Sequence, residues 1–446
     1  FVVLFLRDET LSSDCNYQLL KKSYLCEIIL EQNHNKNIMK LVILTQYFPP
    51  EVGAPQNRLY ELAVRLKQRG IDVSIMTAMP NYPQMEIHKN YKGKCFCKEE
   101  MDGMTIYRSW IYVSKSKSVV KRLLNYFSFV FSSLFYGLFK LKRQDFLLVE
   151  SPPLFLGATA YLLAKAKGAK LIFNVSDLWP ESAEKLGIIS NKFLLKSATV
   201  LEEFCYRKAS LISGQTQGIV GNISSRFPKK DVYWLKNGVD INLYDAEKTA
   251  DKGKWRKSQG YGQNDFILFY GGIIGHAQGL EIILNAAKRL EEYSDIRFVL
   301  LGNGPEKPKL LAMKEELGLK NLDFYDAVPK VQMHSIISDI DASVIPLKKL
   351  DLFKGAIPSK IFENLAMKKP VILGLEGEAK TLFVEQGKCG VAFEPENESD
   401  LTDKILQLYN DRGLVKTLGD NGLKYASENF NRDKIAKEFY DKLQTL

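Results

Sequence analysis

The chain has 446 residues, 46% of them hydrophobic and 26% charged, and a formal net charge of +10. That length fits two or three domains of roughly 100–200 residues each, and a composition without low-complexity tracts excludes a disordered chain. The positive balance calls for an anionic partner, which on charge alone is a nucleic acid, a phosphorylated ligand or an anionic membrane.

Residues 1–38 mix short apolar runs with charge and lack the basic, apolar, small-residue order of a signal peptide. Met39-Lys40 leads directly into a buried-strand pattern, Leu41-Val42-Ile43-Leu44, so a native start at Met39 is predicted, with 1–38 as a non-native or extra extension. LVILTQYF then runs into PPEVGAPQ and a helix with Leu59, Leu62, Ala63 and Leu66 on one face, ending at Gly70. Further strands are predicted at IDVSIMTA, TIYRSWIY, FLLVES, KLIFNVSD and ASLISGQT, which completes a first domain over 39–240. The polar, glycine-bearing stretch 241–265 reads as an interdomain connection. Strands resume at FILFYGGIIG, RFVLLGNG, NLDFYDAV, IDASVIPL, PVILGLEG and GVAFEPE, a second domain over 266–429, and 430–446 is predicted to be a helix packing back on the first domain. Alternation of this kind means parallel sheets covered on both faces, in an α/β chain of two Rossmann-like domains facing a central cleft. Ligands of such sheets sit beyond the carboxyl ends of the strands.

The segment 119–143 stands apart, because its aromatic-rich run from Leu123 to Phe139 is flanked by Lys121, Arg122, Lys140, Lys142 and Arg143. It falls short of the ~20 apolar residues a spanning helix needs. Two readings stay open: a buried helix of the first domain, or an interfacial helix with its basic ends on anionic lipid headgroups.

The cysteines, six in all, make no disulfide framework, and Cys95-Phe96-Cys97 has no second pair at zinc spacing, so they read as free thiols in a reducing cytosol. The four histidines, His34, His88, His276 and His334, show no HExxH run, which favours metal-independent chemistry. Asp339-Ile340-Asp341 has the form of a DxD metal motif but begins an apolar strand, where capping of the strand entry is the simpler role.

Several loops after strands are equipped for phosphate. Gly53 and Ala54 follow the first strand and would let the backbone approach a ligand closely, or form a plain βα turn. Gly271-Gly272-Ile273-Ile274-Gly275-His276 opens a helix after a buried strand, and Gly302-Asn303-Gly304 follows the next; neither completes GxGxxG, so the dinucleotide signal is weak. In DLFKGAIPSKIFENLAMKKPVI, Pro358 suits a first helical turn and the helix opens near Ser359, with Lys360 and Glu363 in its first two turns. A lysine beside helix N–H groups is a poor partner for the helix dipole but suits an anion site; the alternative is a solvated lysine and an ordinary first-turn glutamate.

The succession FPPEVGAPQNRLYELAVRL, NVSDLWPESAEKLG, KNGVD, GGIIGHAQGL, LGNGPEK and PSKIFENLAMKKPVI resembles family 4 glycosyltransferases of the GT-B fold, over essentially residues 39–446. It looks closest to the surface-polysaccharide branch that includes N-acetyl-fucosamine transferases. The resemblance implies that Glu363, the second glutamate of an E-x7-E signature, hydrogen-bonds the ribose of a nucleotide sugar. The first glutamate of that signature is Gly355 here, which leaves the donor-sugar contact open. Lys360, beside Ser359, would meet the diphosphate together with backbone at Gly271, Gly272 and Gly275, while Gly53, Gly302, Gly304 and Val328 would complete the donor site. The arginine and lysine many members place after the first strand of this domain are absent, and His276 would substitute in part. Ser176 stands where many members have a histidine, so Asp177 is the candidate for orienting the acceptor or a sugar hydroxyl, followed by Glu181; the alternative for Asp177 is an N-cap.

By the same resemblance the reaction is a retaining transfer from a UDP-sugar, with no cofactor and no metal. A polyprenyl-diphosphate-linked saccharide would be the acceptor, and the enzyme would be cytoplasmic, peripheral on the inner face of the cytoplasmic membrane through 119–143. A nucleotide-sugar epimerase on the same scaffold is the chief rival. A nucleic-acid binder is disfavoured because its expected interleaving of aromatic and basic residues occurs only in 119–143, which is too apolar.

Overall fold

A computed structural model describes residues 38–51, 53–82, 84–116, 118–185, 191–245 and 253–446. The predicted extension lies outside the described residues except for Ile38, and so does the part of the connection at 246–252.

The first sheet contains β1 (Lys40–Leu44), β2 (Asp72–Ala78), β3 (Phe96–Met101), β4 (Met104–Ser109), β5 (Phe146–Ser151), β6 (Lys170–Val175), β7 (Leu211–Gly214) and β8 (Val232–Trp234), in the order β3-β4-β2-β1-β5-β6-β7-β8. The second contains β9 (Phe266–Gly271), β10 (Ile296–Leu301), β11 (Leu322–Tyr325), β12 (Ala342–Pro346), β13 (Val371–Gly374) and β14 (Gly390–Ala392), in the order β11-β10-β9-β12-β13-β14. Runs such as Leu41–Leu44 are wholly buried because helices cover both faces: Val42 and Leu44 join one core layer, Leu41 and Ile43 the other. Strand order reverses between β1 and β5 and between β9 and β12, so the crevices where ligands of such sheets bind open beside those strands.

The first sheet departs from the expected all-parallel pattern at one edge. β3 runs antiparallel to β4 through a two-residue turn, Asp102 at φ 49° and Gly103 at φ 73°, in which both residues take the left-handed conformation that tight hairpins require. The FCKEEM sequence conceals this strand, since an edge strand tolerates the charges of Lys98, Glu99 and Glu100. β8, only three residues long, also has no strand signal of its own.

Helix Arg432–Gln444 buries Ile435, Ala436, Phe439 and Leu443 in the core that also holds Leu59 and Leu62 of helix Ala54–Gln68. The 22-residue helix Val119–Lys140 has one face packed on the first domain and one face exposed. Phe129, Val130 and Ser133 are buried against the first domain, whereas Leu124, Phe131, Phe135, Leu138 and Phe139 face solvent. Among the described residues no helix is long and apolar enough to cross a membrane.

Candidate active site

Between the two sheets lies a cavity of about 620 Å³. The first domain contributes Ser176, Asp177 and Glu181 after β6, Gln215 and Thr216 after β7, and Lys236 and Asn237 after β8. From the second come Gln278, the segment after β12 from Leu347 to Pro358, and Lys360.

Asp177 accepts a hydrogen bond from the Ser182 hydroxyl at 2.8 Å. Burial raises its carboxyl above the usual aspartate range and the neighbouring Glu181 adds to this, while Ser182 and the Leu178 N–H oppose it. Glu181 pairs with Lys185 at 2.7 Å. Behind Asp177 lies a buried polar relay. Ser176 donates to Glu150, whose carboxylate also takes Arg58 at 2.5 Å and the Asn174 amide at 2.5 Å, and the Ser213 hydroxyl holds Asn174 at 2.7 Å. These contacts fix the loop that carries Asp177, since breaking one member would strand a buried charge. The sequence reading passed over Glu150, although a carboxylate inside the apolar run FLLVES was a usable signal.

Across the cavity, helix Lys360–Ala366 begins at Ser359, and the Lys360 ammonium sits 3.7 Å from the centre of the Tyr270 ring. Part of the Lys360 surface reaches the cleft, yet the protein packed around it pushes the ammonium down to about 7, against the pull of Glu363. The ammonium also abuts Gly272, where an added Cβ would meet Nζ at 2.9 Å. Lys360 and the loop after β9 therefore form one surface, which the sequence reading placed together.

The remaining glycines divide by role. A Cβ at Gly302 would overlap the Gly272 carbonyl oxygen, and one at Gly304 the Ile274 carbonyl oxygen, so both are filled by neighbouring backbone. The loops are further tied by Gly272 N–H to Leu301 O at 2.9 Å and Ile274 N–H to Asn303 O at 3.0 Å. A Cβ at Gly355 would meet nothing within 4 Å, so the place of the family's first glutamate is open cavity. Gly53 abuts Gln56, Gly275 abuts Gln278, and Val328 is half-buried. Of the predicted site residues only Asp177, Glu181 and Lys360 line the cavity; Gly53, Gly271, Gly272, Gly275, His276, Gly302, Gly304, Val328, Ser359 and Glu363 do not. His276 is exposed, with the Lys348 ammonium 3.0 Å from Nε2.

Glu363 lies behind Lys360, at the seam between the domains. Burial raises its carboxyl, while Lys330, Arg432, Tyr244 and Lys360 pull it down. Asp339 and Asp341 accept from backbone N–H groups of Gly253, Arg256 and Ile267 and from the Arg256 side chain, so instead of capping the entry of their own strand they hold the 253–256 segment and the start of β9. Among the described residues no group of three or more His, Cys, Asp or Glu side chains is placed to hold a metal.

Two doubly covered sheets with a cavity between their carboxyl ends, lined by Asp177 from one and Lys360 from the other, give the GT-B architecture, and the family matches make the chain a glycosyltransferase. Both halves match in sequence: residues 53–234 match the Glycosyl transferase 4-like domain and residues 251–425 the Glycosyl transferases group 1 family. The chain is similar to WcaI of Escherichia coli K12, assigned as a colanic acid biosynthesis glycosyl transferase, with 26% identity over 419 residues, covering 91% of this chain and 100% of that protein. Among solved structures, sucrose-phosphate synthase from Thermosynechococcus elongatus superposes with a TM-score of 0.71 at 14% identity, covering 91% of this chain and 98% of that one. HepE of Anabaena in complex with UDP and glucose does so with a TM-score of 0.67 at 18% identity, covering 92% of this chain and 100% of that one.

Proposed function

We propose that the protein transfers an N-acetylated amino sugar from a UDP-sugar to a lipid-linked saccharide in the synthesis of O-antigen, capsule or exopolysaccharide, within the branch that includes N-acetyl-fucosamine transferases. The observation that carries this reading is Lys360, whose ammonium abuts Gly272 of the loop after β9, lining the cleft from one domain while Asp177 lines it from the other. The first domain, 39–240, presents the acceptor and the second, 266–429, holds the donor. The relation to a colanic acid enzyme and the UDP bound by HepE support the substrate class.

Breaking a sugar–diphosphate bond builds negative charge on the departing phosphate. Lys360 meets that charge together with backbone of the loop from Gly271 to Gly275, apart from the Gly272 and Ile274 N–H groups that bind Leu301 and Asn303, and this stabilises the transition state electrostatically. Glu363 holds the ribose hydroxyls. Asp177 orients an acceptor or sugar hydroxyl, Glu181 assists it, and attack comes from the leaving-group face with retention. The protein works without a metal, at the inner face of the cytoplasmic membrane, where the exposed aromatic face of helix Val119–Lys140 and its basic ends rest on anionic lipid.

Isothermal titration with UDP, GDP and a panel of UDP-N-acetylhexosamines, with and without EDTA, tests the donor half of this reading. UDP binding that persists in EDTA is expected; preference for GDP, or loss of binding in EDTA, would overturn it.

A further inference from the structure

A second cavity, of about 450 Å³, opens beyond the carboxyl ends of β2 and β4, on the same edge of the sheet as the cleft and separated from it by the loops after β1 and β5. Its floor is apolar, made by Met79, Ile87, Trp110, Ile111 and Val113. Its rim is basic: Lys92 and Lys94 line it, and Lys115 stands close by, 3.5 Å from Glu86. Glu86, also 2.8 Å from Lys92, is the one carboxylate of the lining, so the rim keeps a positive excess.

The cavity is built into the exposed aromatic helix. Segment 110–113 is strapped to Val119–Lys140 by the Ser132 hydroxyl donating to the Trp110 carbonyl at 2.5 Å, by Tyr112 N–H to the Ser128 hydroxyl at 2.8 Å, and by the Asn125 amide to the Tyr112 carbonyl at 2.6 Å. Trp110, a wall of the cavity, is itself 45% exposed beside that helix. On its other side the cavity is tied to the loop after β1. Arg108 stacks 5.2 Å from the Tyr91 ring and donates to the Pro49 carbonyl at 2.5 Å, while Glu51 accepts from the Asn81 N–H at 2.7 Å and the Tyr82 N–H at 2.8 Å.

We propose that this cavity seats the head-proximal part of a prenyl diphosphate, with the apolar chain on Ile87, Ile111 and Val113 and the diphosphate among Lys92, Lys94 and Lys115. An apolar floor calls for hydrocarbon, a basic rim for phosphate, and a single cavity for a single chain rather than the paired chains of a phospholipid. The chain enters from the aromatic helix, and the saccharide on the diphosphate passes the loops after β1 and β5 to reach the cleft. This rests on the reading of the acceptor as lipid-borne and gives that acceptor its place.

The test is calorimetric titration of the full chain with farnesyl diphosphate, inorganic diphosphate and dihexanoyl phosphatidylglycerol, with UDP titrated in parallel. Farnesyl diphosphate should saturate the wild type, and Val113→Trp, which fills the cavity, should weaken it at least tenfold while leaving UDP affinity within twofold. The double variant Lys92→Glu, Lys94→Glu, at the rim, should weaken it similarly, and serves if the tryptophan disturbs folding. Equal affinity for inorganic diphosphate, equal affinity for the phospholipid, or unchanged farnesyl diphosphate binding in both variants would overturn the proposal. Failure of UDP to bind the wild type would sink the donor reading instead, with the cavity still judged by its own titration.

Discussion

At Lys360 two requirements oppose each other. A site for diphosphate needs a cation, yet a cation packed against Tyr270 and Gly272 loses hydration, which is why its ammonium is pushed down to about 7. Below about 7 the side chain is charged in the free enzyme, and above it the charge is lost. Bound diphosphate favours the charged form, so UDP affinity should fall by up to tenfold per pH unit from about 7 towards 9. Calorimetry across that range should show the decline in the wild type and a flat, weaker profile in Lys360→Met. In the proposed site Glu363 accepts hydrogen bonds from the ribose, each worth about 1.5–3 kcal/mol for a charged acceptor, so Glu363→Ala should weaken UDP roughly 10- to 100-fold, read by calorimetry on the folded variant. Gly302 is a residue of the opposite kind. Its φ of 149° and the carbonyl it faces leave no room for a methyl group, so Gly302→Ala should lower stability by about 2–3 kcal/mol, read as a drop in the denaturation midpoint.

Element by element, what could be read from the sequence depended on how local its cause was. β1, β9 and β12 announce themselves because strands buried on both faces are unbroken apolar runs, and helix Lys360–Ala366 does so through Pro358. β3 does not, because its pairing is fixed by the turn at Asp102-Gly103 and its charges are those of an edge. The site was legible in the same measure. Lys360 and Gly272 could be joined by family pattern, whereas Arg58, Glu150 and Asn174 meet only after 92 and 24 residues of intervening separation are folded away. Helix Val119–Lys140 shows composition without orientation, and its two faces divide only in the fold. That division determines how its membrane role is tested. Phe127 stacks on Phe155 at 4.8 Å and is half-buried, so its removal would disturb packing, while Phe131, Phe135 and Phe139 are more than half exposed. Replacing those three with serine should reduce binding to anionic liposomes roughly a hundredfold, at about 1 kcal/mol for each partly inserted ring. The melting temperature should stay within a degree or two, and unchanged sedimentation with liposomes would remove this face from the membrane.

At the scale of the whole molecule, the proposed donor site is wired to the seam between the domains. Glu61, on helix Ala54–Gln68, pairs with Arg65 at 2.5 Å and reaches Arg432 at 3.3 Å and Lys330 at 3.5 Å. Arg65 in turn holds Asp240 at 2.8 Å and Asp433 at 2.7 Å. Lys330 and Arg432 are the same two cations that pull the Glu363 carboxyl down against its burial, so Glu61, from the other domain, competes with Glu363 for their charge. Neutralising Glu61 should leave more positive potential at Glu363 and keep it ionised to lower pH. In the proposed site the ribose needs the carboxylate as an acceptor, so UDP affinity in the wild type should fall in acid as the burial-raised Glu363 carboxyl takes up a proton. In Glu61→Gln that acid limb should move to lower pH, with the limb near 7 from Lys360 left in place. Loss of an interface contact alone would weaken UDP by the same factor at every pH and leave the limb where it was. A calorimetric profile from pH 4.5 to 8 therefore separates electrostatic coupling across the cleft from simple loosening, and only a moved limb supports the coupling.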